Sequence, residues 1–379
     1  MPARVIAALA LLLFCCALAV GADDKPDLKS SKRDDAKKRE AERKARQKTN
    51  KQLNQDLAKK LGEAIAKHEK SISGVVHVVK DGLPLYSAAF GMADRDSKRK
   101  NALDTFFDTG SVTKQFTAAA VMKLEMLGKL KLADRIDKHF KNVPADKAAI
   151  TVLQLLSHSS GVAQMYDFEG VDVTDRDSSV KCLLAIALAA KPGEKFIYSN
   201  ANYFMAAALV EIASGQSFES FCEEHLFKPA GMKDTGFTGD KDLEEKRSAL
   251  RYEGGESRGS MVSYAYSWGF RGATGVVSTV SDMNRWSDAL LGDDVLNAEA
   301  RKSLFKPVLS EYACGWYILK TATGSTKITH SGAAAGARCY FSRYEAEDVA
   351  FVIFLNECTQ GSLVEFTLAN EIDAVLFAR

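Results

Sequence analysis

Proline is scarce in this sequence, 7 residues against 26 glycines in 379, and no stretch repeats itself internally. With 46% apolar and 9% aromatic residues, a collagen-like rod, a mucin-like stalk and wholesale disorder are excluded. Net charge is nearly absent: 51 basic side chains face 49 acidic ones, which argues against a dedicated nucleic-acid binder. Cysteine is sparse too. Beyond the N-terminal apolar stretch only Cys182, Cys222, Cys314, Cys339 and Cys358 remain. Their odd number, wide spacing and lack of any Cys-x-x-Cys pattern fit neither a disulfide framework nor a zinc site. Ordinary buried thiols are expected, although one or two bridges would be compatible with an oxidising compartment. Long apolar runs are missing past residue 22; Cys182 to Ala190 is too short to cross a bilayer.

What is present is unevenly distributed. Arg4 precedes an unbroken apolar run from Val5 to Val20, then small residues and the pair Asp23-Asp24. Residues 1–22 therefore read as an export signal, with an uncleaved membrane anchor as the alternative. That implies a periplasmic, envelope or secreted location. Residues 23–60 carry fourteen basic and eight acidic side chains and almost nothing apolar. This is the pattern of a solvated helix or spacer, and weak association with an anionic wall or membrane surface is its functional alternative. The remainder of the chain is slightly acidic.

A helix is expected from about Leu53 to His68. A strand pair follows, Val75 to Val79 and Leu85 to Phe90, around a Lys80-Asp81-Gly82 turn. Apolar residues recur at helical spacing from Ser111 to Leu127, with Gly128 placed to stop the helix. Residues 130–235 read as largely helical, including Ile150 to Leu156, Val180 to Ala190 and Tyr203 to Ala213. Gly254 to Gly275 reads as a long polar loop beside a site. Strands at Trp316 to Leu319, Arg338 to Tyr344 and Val349 to Leu355 precede a terminal helix, Leu363 to Phe377. Strands at both ends with helices between imply an α/β (α+β) fold. Its antiparallel sheet would come from both termini, residues 61–107 and 275–379, with a mainly helical domain over 108–274.

Three short patterns could carry chemistry. Asp108-Thr109-Gly110-Ser111-Val112-Thr113-Lys114 contains Ser-x-x-Lys at the opening of an apolar helix. Side chains three apart on a helix share a face, so an amine can reach the hydroxyl. A serine hydroxyl needs such a partner before it is a useful nucleophile, and a buried lysine with a depressed pKa can supply it. Ser97–Lys100, Ser178–Lys181 and Ser303–Lys306 match the same spacing but lie in charged or polar surroundings. Ser111 could also be a helix N-cap. The second pattern is Tyr198-Ser199-Asn200, where a phenol can shuttle a proton and an amide can bind a carbonyl. The third is Thr329-His330-Ser331-Gly332-Ala333, a short strand running into small residues, where a substrate backbone can pair alongside.

In this order the three patterns resemble the serine β-lactamase and penicillin-binding protein superfamily. The likeness is to its class C-like branch, with Ser-x-x-Lys, Tyr-x-Asn and Lys/His-x-Gly motifs. Leu155-Leu156-Ser157-His158-Ser159-Ser160-Gly161 and Gly272-Ala273-Thr274-Gly275 through Asp282 and Trp286 fit as well. The resemblance covers the chain from about residue 60 onward. It implies Ser111 as acylated nucleophile, Lys114 as its activating partner and Tyr198 as proton shuttle. Asn200, His330 and Gly332 would bind substrate, and the N–H groups of Ser111 and Ala333 would form the oxyanion hole. No metal or cofactor is implied.

One position departs from the commoner pattern. His330 stands where lactamases and carboxypeptidases more often carry lysine, and a mostly neutral imidazole matches a substrate carboxylate poorly. Esters, amides or D-amino-acid peptides are expected ahead of β-lactams and D-alanyl-D-alanine termini. A non-catalytic binding or sensor domain on the same fold is a further alternative. Gly255-Glu256-Ser257-Arg258-Gly259 formally matches the esterase elbow Gly-x-Ser-x-Gly but lacks the apolar strand and helix that elbow requires.

Overall fold

A computed structural model describes residues 28–165, 175–265, 267–358 and 361–378; the expected export signal lies outside them. The chain divides into two units, Met1–Ala41 and Glu42–Arg379, and the account below concerns the second.

Helix α1 (Leu28–Thr49) starts in the first unit, and α2 (Lys51–Ala66) follows it. Strands β1 (Gly74–Lys80) and β2 (Leu83–Phe90) form a hairpin because Asp81 and Gly82 both take positive φ, 52° and 74°. That is the backbone geometry whose twist matches the flanking strands. The helical portion comprises α3 (Thr113–Met126), α4 (Val152–Leu156), α5 (Arg176–Ala185) and α6 (Asn200–Ser214), preceded by the short strand β3 (Phe107–Asp108). A hairpin of β4 (Leu250–Glu253) and β5 (Glu256–Ser260) leads to β6 (Val276–Ser278) and α7 (Val280–Ala289). The chain then runs through β7 (Tyr317–Lys320), β8 (Thr326–Ala334), β9 (Ala337–Tyr344) and β10 (Val349–Leu355) to α8 (Val364–Leu376).

The main sheet has six strands in the order β7-β8-β9-β10-β1-β2, every neighbour antiparallel. The first and last strands of the fold meet at its centre, where Val75 pairs with Phe354 and Val78 with Phe351. Strand β10 is buried along its whole length, Val349-Ala-Phe-Val-Ile-Phe-Leu355. A continuous apolar run of this kind belongs to a strand covered on both faces. Alternate residues go to opposite cores: Phe351, Ile353 and Leu355 face Leu61, Ile65, Leu368 and Ile372 of α2 and α8, whereas Val352 and Phe354 face the helical portion. Helices α3 and α6 pack against each other within that second core, and Thr113 to Met122 of α3 is buried without a break. A helix buried on nearly every side is an interior helix, and the small residues Ala118 to Ala120 of α3 and Ala206 to Ala208 of α6, all in this core, leave room for close approach.

Several expectations need correction. The helix expected to reach Ala190 stops at Ala185, because Ile186 turns extended and Leu188 forms a bridge with Val162. It starts earlier instead, at Arg176, where the Asp175 carboxylate accepts the Ser178 N–H at 2.8 Å. The polar stretch from Gly254 is not one long loop: Gly254 and Gly255, with φ of 60° and 90°, make the tight turn of the β4–β5 hairpin. Ser257 therefore sits on an exposed strand, which disposes of the esterase-elbow match.

Within the highly charged segment, Arg43 and Arg46 are engaged by the fold. Arg43 grips both carboxylate oxygens of Asp348 at 2.8 and 2.7 Å and also reaches Asp288 at 2.7 Å. Arg46 bonds Asp81 and Asp348, each at 2.6 Å, so one helix end ties together the β1–β2 and β9–β10 turns. Burial by itself would raise the Asp348 carboxyl, but the Arg43 and Arg46 bonds outweigh it and hold it below the usual range. Its stabilisation is therefore complete above the ordinary carboxylate pKa of about 4 and lost as the pH falls through the lower folded value. Asp348→Asn is expected to cost about 2 kcal/mol in urea unfolding at pH 7, with a smaller difference from wild type at pH 3.

Candidate active site

Ser111 lies on a single 3-10 turn, Gly110–Val112, that leads directly into α3. The turn is fixed from outside. The Asp108 carboxylate accepts the Gly110 N–H at 2.8 Å, and the Thr109 hydroxyl donates to the Val276 carbonyl at 2.9 Å. The Val276 N–H in turn donates to the Thr113 hydroxyl at 3.1 Å, and Asp108 pairs with Val277 across β3 and β6. The N-cap positions of the 3-10 turn and of α3 are Thr109 and Val112, so the N-cap alternative for Ser111 fails.

The Lys114 amine stands 3.1 Å from the Ser111 Oγ, 2.7 Å from the Asn200 Oδ1 and 3.1 Å from the Ala273 carbonyl oxygen. It is fully buried, which drives its pKa well below the usual lysine range. A neutral amine has two N–H donors and one lone pair. Two of its three neighbours are acceptors only, so the lone pair falls toward Ser111, the one partner that can donate. Rings complete the enclosure: Nζ lies 5.0 Å from the centroid of Tyr198 and 5.5 Å from that of Tyr203.

Tyr198 and Asn200 flank the start of α6. The irregular segment before that helix is held by a residue not assigned a role from the sequence, His158. Its carbonyl accepts the Ile197 N–H at 2.8 Å, and its Nδ1 accepts from the Ser199 N–H at 3.3 Å and the Asn202 amide at 3.1 Å. The imidazole lies under the Tyr198 ring with centroids 4.2 Å apart. Burial is the chief cause that pushes its pKa well below the usual histidine range, and any positive charge on Lys114 or His330 would push it the same way. The backbone at His158 is left-handed, φ 53°, just after α4; its one sequence signal was its place in the Leu155 to Gly161 segment that fits the family resemblance.

The third motif occupies the second half of β8, a nine-residue strand and not the short one expected. His330 is buried, with its Nδ1 2.6 Å from the Ser331 carbonyl oxygen and its Nε2 3.1 Å from the hydroxyl of Tyr312. The ring is neutral: burial is the chief cause that pushes its pKa down to about 3. It stands 6.2 Å from the Tyr198 ring. Tyr312 is the second site residue that sequence reasoning missed; nothing near it in sequence marks it.

Gly332 and Gly110 let the strand and the nucleophile's turn touch backbone to backbone. A Cβ at Gly332 would sit 2.0 Å from the Thr109 carbonyl oxygen and 3.1 Å from the Ser111 nitrogen. One at Gly110, where φ is +52°, would sit 2.7 Å from the Ala333 nitrogen. The backbone nitrogens of Ser111 and Ala333 are thus brought to one junction, with Ala333 exposed. All seven residues singled out from the sequence, Ser111, Lys114, Tyr198, Asn200, His330, Gly332 and Ala333, converge here. Gly332→Ala is expected to push the strand off the turn and lower kcat/KM by about 100-fold, the scale of a displacement near 1 Å. Steady-state kinetics with any turned-over ester checks it.

The sequence description of the Beta-lactamase family matches residues 51–373. The chain belongs to the Beta-lactamase family. Among the relatives of this family member is penicillin-binding protein 4* of Bacillus subtilis (strain 168), 27% identical over 354 residues, 85% of this chain and 75% of that protein. Protein flp of Staphylococcus aureus (strain MW2) is 26% identical over 295 residues, 74% of this chain but only 58% of that protein, less than two thirds of its length. Two solved structures share the family fold. The octameric penicillin-binding protein homologue from Pyrococcus abyssi has a TM-score of 0.73 at 23% identity, covering 86% of this chain and 77% of that one. D-amino acid amidase from Ochrobactrum anthropi has a TM-score of 0.72 at 22% identity, covering 85% and 97%. Among the described residues the five cysteines are free thiols, no cluster suits a metal ion, and no helix is long and apolar enough to cross a membrane.

Proposed function

We propose that this Beta-lactamase family member is an exported serine hydrolase that cleaves an ester, an amide or a D-amino-acid peptide through an acyl-enzyme. The observation that carries the reading is the buried amine of Lys114, 3.1 Å from the Ser111 hydroxyl, with its two other partners both acceptors. Ser111 Oγ attacks the substrate carbonyl carbon while its proton passes to the Lys114 amine. The oxygen that gains charge is held by the N–H groups of Ser111 and Ala333. Collapse of the tetrahedral species breaks the bond to the leaving group, which departs with the proton returned through Lys114 and the Tyr198 phenol. Water then adds to the acyl-serine carbonyl, one proton again passing through the same groups, and the acid is released with Ser111 restored. Asn200, oriented by Lys114, and the strand carrying His330 and Gly332 bind the substrate's amide or carbonyl groups.

The test is covalent labelling of the intact protein by a fluorophosphonate, read by mass spectrometry, together with hydrolysis of a panel of p-nitrophenyl esters, D-alanyl peptides and nitrocefin. One equivalent of label mapped to Ser111, with turnover of the esters or peptides ahead of nitrocefin, is the expected result. Absence of both label and turnover would leave a binding domain built on a hydrolase fold.

A further inference from the structure

The geometry points to a leaving-group subsite built for an uncharged aromatic or apolar group, with Phe196 and Tyr317 as its specificity-determining residues. This rests on the acyl-enzyme reading above and names the class of substrate for it. Strand β8 pairs with β7 only from Thr326 to Thr329, so its edge from His330 to Ala334 has no β7 partner. A substrate strand added there antiparallel to β8 runs from Ala334 toward His330. With the acyl carbonyl at the Ser111 and Ala333 amides, whatever follows it extends past Ser331. It must then meet the end of β7, where Tyr317 pairs with Thr329 and closes the edge.

Rings occupy that end. Tyr317 lies 5.6 Å from His330 and 4.7 Å from Tyr312, and Phe196 lies 5.3 Å from Tyr312 and 6.5 Å from Tyr317, all between centroids. Tyr312 and His330 are buried beneath, whereas Phe196 and Tyr317 keep part of their surface exposed. Both nitrogens of His330 are within hydrogen-bonding distance of neutral groups, the Tyr312 hydroxyl and the Ser331 carbonyl. The histidine ion pairs found among the described residues are those of His68, His139 and His225, on other parts of the fold. A carboxylate brought here would lose water against aromatic faces and a buried neutral imidazole. An aryl or alkyl group would instead bury apolar area and stack.

Two phenyl esters with the same acyl group test this, one carrying a 4-carboxylate and the other its methyl ester. They differ in charge and also in leaving-group electronics, the neutral ester having the better leaving group, and the hydroxide-catalysed rates measure that second difference. Wild type at pH 7 is expected to favour the neutral ester by at least about tenfold in kcat/KM, after correction for their hydroxide-catalysed rates. Phe196→Ala and Tyr317→Ala should each shrink that ratio several-fold, and His330→Lys should shift it toward the carboxylate. Should a variant fail to fold, product inhibition of wild type by the two free phenols reads the same preference. Equal or better turnover of the carboxylated ester, with Ser111 still labelled by fluorophosphonate, would overturn the subsite alone. No turnover and no label would remove the acyl-enzyme reading and the subsite with it.

Discussion

Ser111→Ala is expected to abolish acyl transfer, lowering kcat/KM by at least about 1,000-fold and eliminating fluorophosphonate labelling. The expectation is specific because three other serines have the same Ser-x-x-Lys spacing and a fourth mimics an esterase elbow. Ser97 donates to Asp94 at 2.7 Å in an exposed turn, and Ser178 to Asp175 at 2.9 Å at the exposed start of α5. Ser303 lies on a short surface helix and Ser257 on an exposed hairpin strand. None has an amine buried against it. Alanine at each of the four should leave ester turnover within about twofold of wild type. Loss of labelling in any of these variants, or its persistence in Ser111→Ala, would place the nucleophile elsewhere.

Lys114→Met should be nearly as damaging, about 1,000-fold in kcat, because the base and the proton carrier to the leaving group are lost together. Two pH measurements separate this role from a packing role. In wild type, activity should rise with pH as the amine loses its proton. That limb should lie well below the ordinary lysine pKa of about 10.4 and be absent from the variant. Stability provides the second. Lys114 is neutral when buried and protonated when unfolded, so the unfolded state binds more protons between the depressed folded value and about 10.4. Wild-type stability should therefore climb with pH across that interval, and the climb should flatten in Lys114→Met. An acid limb unchanged in the variant would assign the base to another group. The variant still leaves the Asn200 and Ala273 oxygens without their donor, so some destabilisation at high pH is expected.

Local signals in the chain identified most of the elements. The alternating and continuous apolar runs at Val75 to Val79 and Val349 to Leu355 are strands to within a residue of expectation, and Ser111 to Leu127 is a helix apart from its opening 3-10 turn. Such periodicity reports burial directly, so it survives whatever the tertiary arrangement turns out to be. One reading from composition and one from pattern failed. Gly254 to Ser260 is polar but hydrogen-bonded into a hairpin, and the Val180 helix ends where the backbone must bridge to Val162.

Residue types and their order along the chain were enough to nominate Ser111, Lys114, Tyr198, Asn200, His330, Gly332 and Ala333. Tertiary structure alone decided what state they are in. Nothing local says that Lys114 is buried on every side or that its other neighbours, from residues 200 and 273, are acceptors. The roles of His158 and Tyr312 were illegible for the same reason: His158 acts on Asn202, 44 residues away, and Tyr312 on His330, 18 residues away. Protonation state, ring contacts and the meeting of Gly110 with Gly332 depend on distances between segments remote in sequence, and those exist only once the sheet has closed over the helices.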